Sequence, residues 1–149
     1  MLYLVLKFVH VFLAIIAVGA NVTYGVWFYR AHAHPEFATV ALRGIKFIDD
    51  YIANPAYLLL LPTGAAMVWV GGISFHTRWI EWAMALWLLA IVLAYAGYTP
   101  ALSKQIAIVS EKGTRDPAAV KLALRANVFA GLLAVIVIGI LVLMIFKPM

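Results

Sequence analysis

The chain has 149 residues, of which 66% are hydrophobic and only 11% charged, with a net charge of +5. Soluble domains average roughly 25% charged residues, so this composition excludes one and points to a protein dissolved in lipid. The absence of cysteine excludes disulfides, thiolate metal sites and thiol nucleophiles.

Residues 8–29 form the first apolar span, 22 residues between Lys7 and Arg30 without Lys, Arg, Asp or Glu. As a helix they cover about 33 Å, enough for a hydrocarbon core of about 30 Å. The run is longer than the apolar segment of a cleavable signal peptide, so it reads as a span. A step of about 100° per residue puts Tyr3, Lys7, His10, Ala14, Ala17, Asn21, Tyr24 and Phe28 on one stripe. Ionisable and amide groups in a spanning helix face the bundle interior, so His10 is expected to point inward.

Three further spans follow, giving boundaries of about 4–29, 51–72, 80–103 and 120–146 in a single domain. Four such segments predict an all-α, polytopic four-helix membrane bundle, because helices satisfy their backbone groups internally. Pro35 opens a segment in which Phe37, Val40, Ala41, Ile45 and Ile48 recur at helical spacing. It predicts a short amphipathic interfacial helix between helices 1 and 2, running toward the second span. Residues 104–120 read as a polar loop broken at Gly113 and Pro117, with Asp116 as N-cap of the last helix. The two halves share a layout of span, polar segment, span, as an ancient duplication would leave.

Eight of the eleven basic residues lie around segments 30–50 and 104–125, leaving Lys7, Arg78 and Lys147 on the other side. The positive-inside rule then places loops 30–50 and 104–120 in the cytoplasm and both termini outside, in a bacterial inner membrane. The net charge is therefore a topology signal, and no nucleic-acid partner is expected.

His10 leads the chemistry. An intramembrane imidazole reads as an axial ligand to haem b, a metal ligand or a proton-transfer group. Its bland alternative is a buried histidine hydrogen-bonded to another helix. A second ligand would come from His76, a methionine or another chain. His76 in a loop also fits plain solvation, and His32-x-His34 reads as a solvated pair. Asn21 and Tyr24 extend the polar stripe. Asp50 and Asn54 share a face of the second span and read as ion-pair or capping groups. Pro62-Thr63-Gly64 would bend that span and free a carbonyl. Glu81 and Tyr95 share a stripe of the third span, and Glu81 either reaches His10 or pairs with Arg78. Arg125 is expected to snorkel at the cytoplasmic face.

No phosphate loop, G-x-S-x-G or H-E-x-x-H motif occurs, and no carboxylate lies near mid-membrane. Whether the chain is an enzyme is open at this point. Three functions stand: a haem b or other tetrapyrrole redox protein, a non-catalytic accessory subunit of a larger respiratory or photosynthetic membrane complex, and a small-solute transporter. Partners are the bilayer and either further copies of the chain or a larger complex.

The segments LKFVHVFLAIIAVGA, NPAYLLLLPTGAAMVW and RWIEWAMALWLLAIVLAYAGYTPALSKQ resemble an uncharacterised family of small bacterial four-helix integral membrane proteins. The LKxxH start followed by Gly19 is also similar to the first helix of the copper-resistance membrane domain and of the membrane protoporphyrinogen oxidase family. In the latter the first-helix histidine is a proposed haem-linked residue, so the resemblance implies that role for His10. Only His10 carries over: the span Trp82–Ser103 has no lysine where that family's third helix has one.

Overall fold

The computed structural model describes residues 1–148. It contains six α-helices: α1 (Leu2–Ala33), α2 (Ala38–Ile48), α3 (Asn54–Val70), α4 (Arg78–Leu93), α5 (Thr99–Lys112) and α6 (Pro117–Phe146). Joined through π-wound turns, they make four helical rods long and apolar enough to cross a membrane: Leu2–Ala33, Pro35–Val70, Arg78–Lys112 and Pro117–Phe146. The molecule is the expected all-α membrane bundle.

The π turns, Asp49–Ala53 and Ala94–Tyr98, are each followed within two residues by proline, Pro55 and Pro100. Proline has no N–H and its ring collides with the carbonyl four residues back. The wider turn accommodates that ring without breaking the rod. The turns fall in the second and third rods, which are not equivalent positions of a tandem duplication.

Pro35–Val70 runs 36 residues, about 54 Å at 1.5 Å per residue, far more than the bilayer core needs. The excess is α2. It forms an amphipathic helix, but the buried face is not the whole stripe read from the spacing: Phe37 and Val40 stay exposed. Ala38, Ala41, Leu42 and Ile45 are buried, and α2 packs on α1 and α5. The partner was hidden in sequence because residues 104–112 look like polar loop. They are helix instead, with Ala101, Gln105 and Val109 buried on one i, i+4, i+8 stripe. The connection shrinks to Gly113–Asp116. Gly113 takes a φ of +84° that favours glycine. As expected, Asp116 caps α6, its Oδ1 accepting the Ala118 N–H at 2.8 Å.

The packing has two unlike ends. Around α2 and α5 the rods close on a core of Tyr24, Leu42, Ile45, Tyr98, Leu102 and Val109. Gly97 sits under the Phe129 ring of α6, where a Cβ would overlap it. Toward the end that carries both termini, α1 packs on α3 and α4 packs on α6. The two pairs leave a space between them, and that space holds His10.

Candidate functional site

The space is a side-open cavity of about 260 Å³ lined by all four rods. The polar stripe of α1 forms one wall: Tyr3, Lys7, His10, Ala14 and Ala17 all border it. Opposite stand Trp79, Ile80, Met84 and Trp87 of α4, with Met144 and Lys147 at the end of α6. The rest of the wall is aliphatic apart from Tyr57 and Phe75. Ligand sites typically are largely apolar with a few placed polar groups, at about 300–1,000 Å³, so this one lies just below that range.

His10 is held by α3. Its Nδ1 lies 2.9 Å from Thr63 Oγ1, and that hydroxyl is 2.7 Å from the Leu59 carbonyl. A hydroxyl has one hydrogen, and the Leu59 carbonyl can only accept. Thr63 therefore donates to Leu59, and its oxygen accepts from His10 Nδ1–H. The Leu60 carbonyl also lies within reach of the ring, which favours a protonated Nδ1. In that form Nε2 carries the lone pair, and no hydrogen bond to Nε2 is formed among the described residues. Gly64 allows the close approach, since a Cβ there would lie 3.1 Å from His10 Cε1. Pro62-Thr63-Gly64 is thus the seat of the imidazole. The proline removes a helix donor, the threonine accepts from the ring, and the glycine makes room.

The sequence reading offered Glu81, His76 or a hydrogen bond to another helix as the partner of His10. The last is the one formed, to Thr63 of α3, and neither Glu81 nor His76 bonds the ring. Glu81 lies 3.2 Å from His76 Nδ1, and both are exposed at the surface. The pair closes the first turn of α4 back on its own loop, turning Glu81 away from the cavity. His32 is exposed, and His34 sits 3.4 Å from Glu36 at the surface. Tyr95 is exposed on the bundle exterior. Arg125 rests its guanidinium 5.7 Å from the centre of the Phe129 ring, which in turn covers Gly97.

Below the cavity the α1 stripe continues into a polar seam. Asn21 donates to the Tyr57 hydroxyl, and Trp87 Nε1–H donates to the Tyr57 carbonyl at 3.0 Å. Tyr24 donates to Asp49 at 3.4 Å, and Asn54 Nδ2 to the other oxygen of Asp49 at 3.3 Å. The sequence reading put Asp50 and Asn54 on one face and gave Asp50 an ion-pair or capping role. The ion pair forms, with Lys46, but Asn54 bonds Asp49 instead. The π turn brings residues five apart into line, so Asp49, not Asp50, meets Asn54. Asp49 is buried, while Asp50 is turned outward to Lys46. Thr63, Tyr57, Trp87 and Asp49 were all missed as site residues. The threonine–glycine pair after Pro62 was the one signal available for the first.

No group of three or more His, Asp or Glu side chains that could hold a metal ion occurs among the described residues. The cavity instead offers single donors: the His10 imidazole and the thioethers of Met67, Met84 and Met144.

A family described as predicted integral membrane protein, DUF2269, matches residues 4–148. The chain belongs to this family. No match was found among curated proteins or solved structures. For DUF2269, then, the match and the fold agree on an integral membrane protein, and any activity has to be argued from the cavity.

Proposed function

We propose that this DUF2269 chain is a membrane receptor for an apolar, ring-shaped cofactor, held in the cavity by His10 Nε2. The carrying observation is the bond from His10 Nδ1–H to Thr63. Metal-binding histidines typically donate one ring nitrogen to an oxygen, which fixes the tautomer and orients the other nitrogen as ligand. Here that arrangement is built on a histidine that borders a largely apolar cavity.

Haem b, or another tetrapyrrole, is the cofactor this donor set would take. His10 would hold it through its imidazole, and a thioether of Met67, Met84 or Met144 could serve as a further donor. A cavity of about 260 Å³ takes part of a macrocycle, and its open side lets the remainder reach between the helix pairs. When bound, such a group supplies one-electron transfer within the bilayer. The chain's own residues orient the imidazole and exclude water with the Trp79–Trp87 wall. The first-helix likeness to the protoporphyrinogen oxidase and copper-resistance families points to the same histidine. In this reading both termini and the cavity face the outside of a bacterial inner membrane, following the basic-residue asymmetry.

One observation favours the accessory-subunit reading. Gly19 and Gly25 of α1 and Gly131 of α6 look onto open space, where a second membrane helix could pack closely. The transporter reading has less support, because no Asp or Glu lines the cavity to couple ion movement.

The test is an absorption spectrum of protein purified in mild detergent. A Soret band lost in His10→Ala supports cofactor binding. A colourless protein that co-purifies in fixed ratio with other subunits supports the alternative.

A further inference from the structure

The charge on the cavity wall narrows the ligand. This inference rests on the cavity being a ligand site and goes further, to the sign and shape of what enters it. Among the 26 lining residues are two lysines, Lys7 and Lys147, and no Asp or Glu. The one carboxylate carried by α4, Glu81, is turned outward to His76. Neither lysine has an ion-pair partner among the described residues. Lys147 is placed by the end of α6: its N–H bonds the Leu143 carbonyl, and its Nζ lies 5.6 Å from the centre of the Trp79 ring. Two cations beside low-dielectric walls attract an anion far more strongly than they would in open water.

The body of that anion is argued from the other polar group. His10 Nε2 is an acceptor with no partner among the described residues. An acyl chain would offer it nothing. A ring carrying N–H groups or a metal would. The aromatic faces of Trp79 and Trp87 also border the space, and flat rings stack on such faces.

We infer that the cavity selects a planar apolar ring bearing carboxylates along one edge, the carboxylates resting on Lys7 and Lys147 and the ring running inward to His10. The opposite orientation would bury the carboxylates among aliphatic side chains, which is costly for an unpaired charge.

The experiment uses the full chain in nanodiscs of zwitterionic lipid and reads quenching of tryptophan fluorescence. The probes are metal-free protoporphyrin IX and its dimethyl ester, with uptake by protein-free nanodiscs subtracted. The diacid is expected to bind at least about tenfold more tightly than the diester, a difference of about 1.4 kcal/mol. Lys7→Ala with Lys147→Ala should abolish that preference, while the Lys→Arg pair should keep it. Raising the salt to about 1 M should shrink the preference, since the lysines are exposed. Equal binding of diacid and diester, both weakened by His10→Ala, overturns the charge inference and leaves the cavity reading standing. Displacement of the diacid by equimolar oleate overturns the choice of a ring over an acyl chain. Failure of both porphyrins to quench overturns this inference together with the reading beneath it.

Discussion

Thr63→Val removes one oxygen and keeps the shape of the side chain, so it isolates the seat of His10. In the native protein Thr63 Oγ1 accepts from His10 Nδ1–H at 2.9 Å and donates to the Leu59 carbonyl at 2.7 Å. The second bond is local to α3, and its loss has little net effect because valine replaces the hydroxyl with a methyl. The first joins two helices in a half-buried site, and its loss leaves the imidazole N–H with only the Leu60 carbonyl in reach. Such a loss costs about 1–3 kcal/mol. The ring can escape part of that by moving its proton to Nε2, so the expected destabilisation lies near the lower end, about 1 kcal/mol. The sharper consequence is on the tautomer. A preference of 1.4 kcal/mol is about tenfold, so the native Nδ1–H form should dominate and the variant should show a mixture. The assay is nitrogen NMR of ¹⁵N-histidine protein in which His32, His34 and His76 are replaced by glutamine, leaving His10 alone. Thr63→Ser should restore the native spectrum. A native spectrum showing Nε2–H, or one unchanged by Thr63→Val, would refute the reasoning.

Asp49→Ala should destabilise the detergent-solubilised protein by about 1–3 kcal/mol, because the hydroxyl of Tyr24 and the amide of Asn54 lose their buried acceptor. Asp50→Ala should cost no more than about 1 kcal/mol, since its pair with Lys46 is partly solvated. Thermal unfolding of the two variants side by side checks the π-turn register, which equal losses would contradict. Gly97→Ala should cost about 1–3 kcal/mol by forcing Phe129 off its seat, and Phe129→Leu in the same chain should recover part of it. A single cysteine at Ala33 or at Ser74, both exposed, should label from opposite sides of the membrane. Labelling of position 33 by an impermeant reagent added to intact cells would invert the proposed topology.

The bundle was legible because lipid imposes a simple grammar: long charge-free runs must be helices, and polar groups within them must face inward. The stripe from Tyr3 to Phe28 follows from that rule alone, and the structure turns it toward α3 and the cavity. The partner of His10 was harder to see. Thr63 bonds its own helix as well as His10, and a threonine in an apolar run looks like one serving only its own backbone. Asp49 was left off the face of Asn54 because a 3.6-residue period was carried through a π turn. The proline two residues beyond that turn was the available warning. The helical identity of residues 104–112 was masked by polarity, since one stripe of α5 is buried against α2 and α6 while its charged residues face outward. The cavity itself lies between rods that scarcely touch, and no local periodicity records a space between them.

The central claim is that His10 Nε2 is the inner ligand of the cavity. Titration of haemin into the purified chain in nanodiscs, followed at the Soret band, addresses it directly. The account predicts saturation at one haem per chain in the native protein, with affinity reduced at least about tenfold, or 1.4 kcal/mol, in His10→Ala. Superimposable titrations for the native chain and His10→Ala would contradict it.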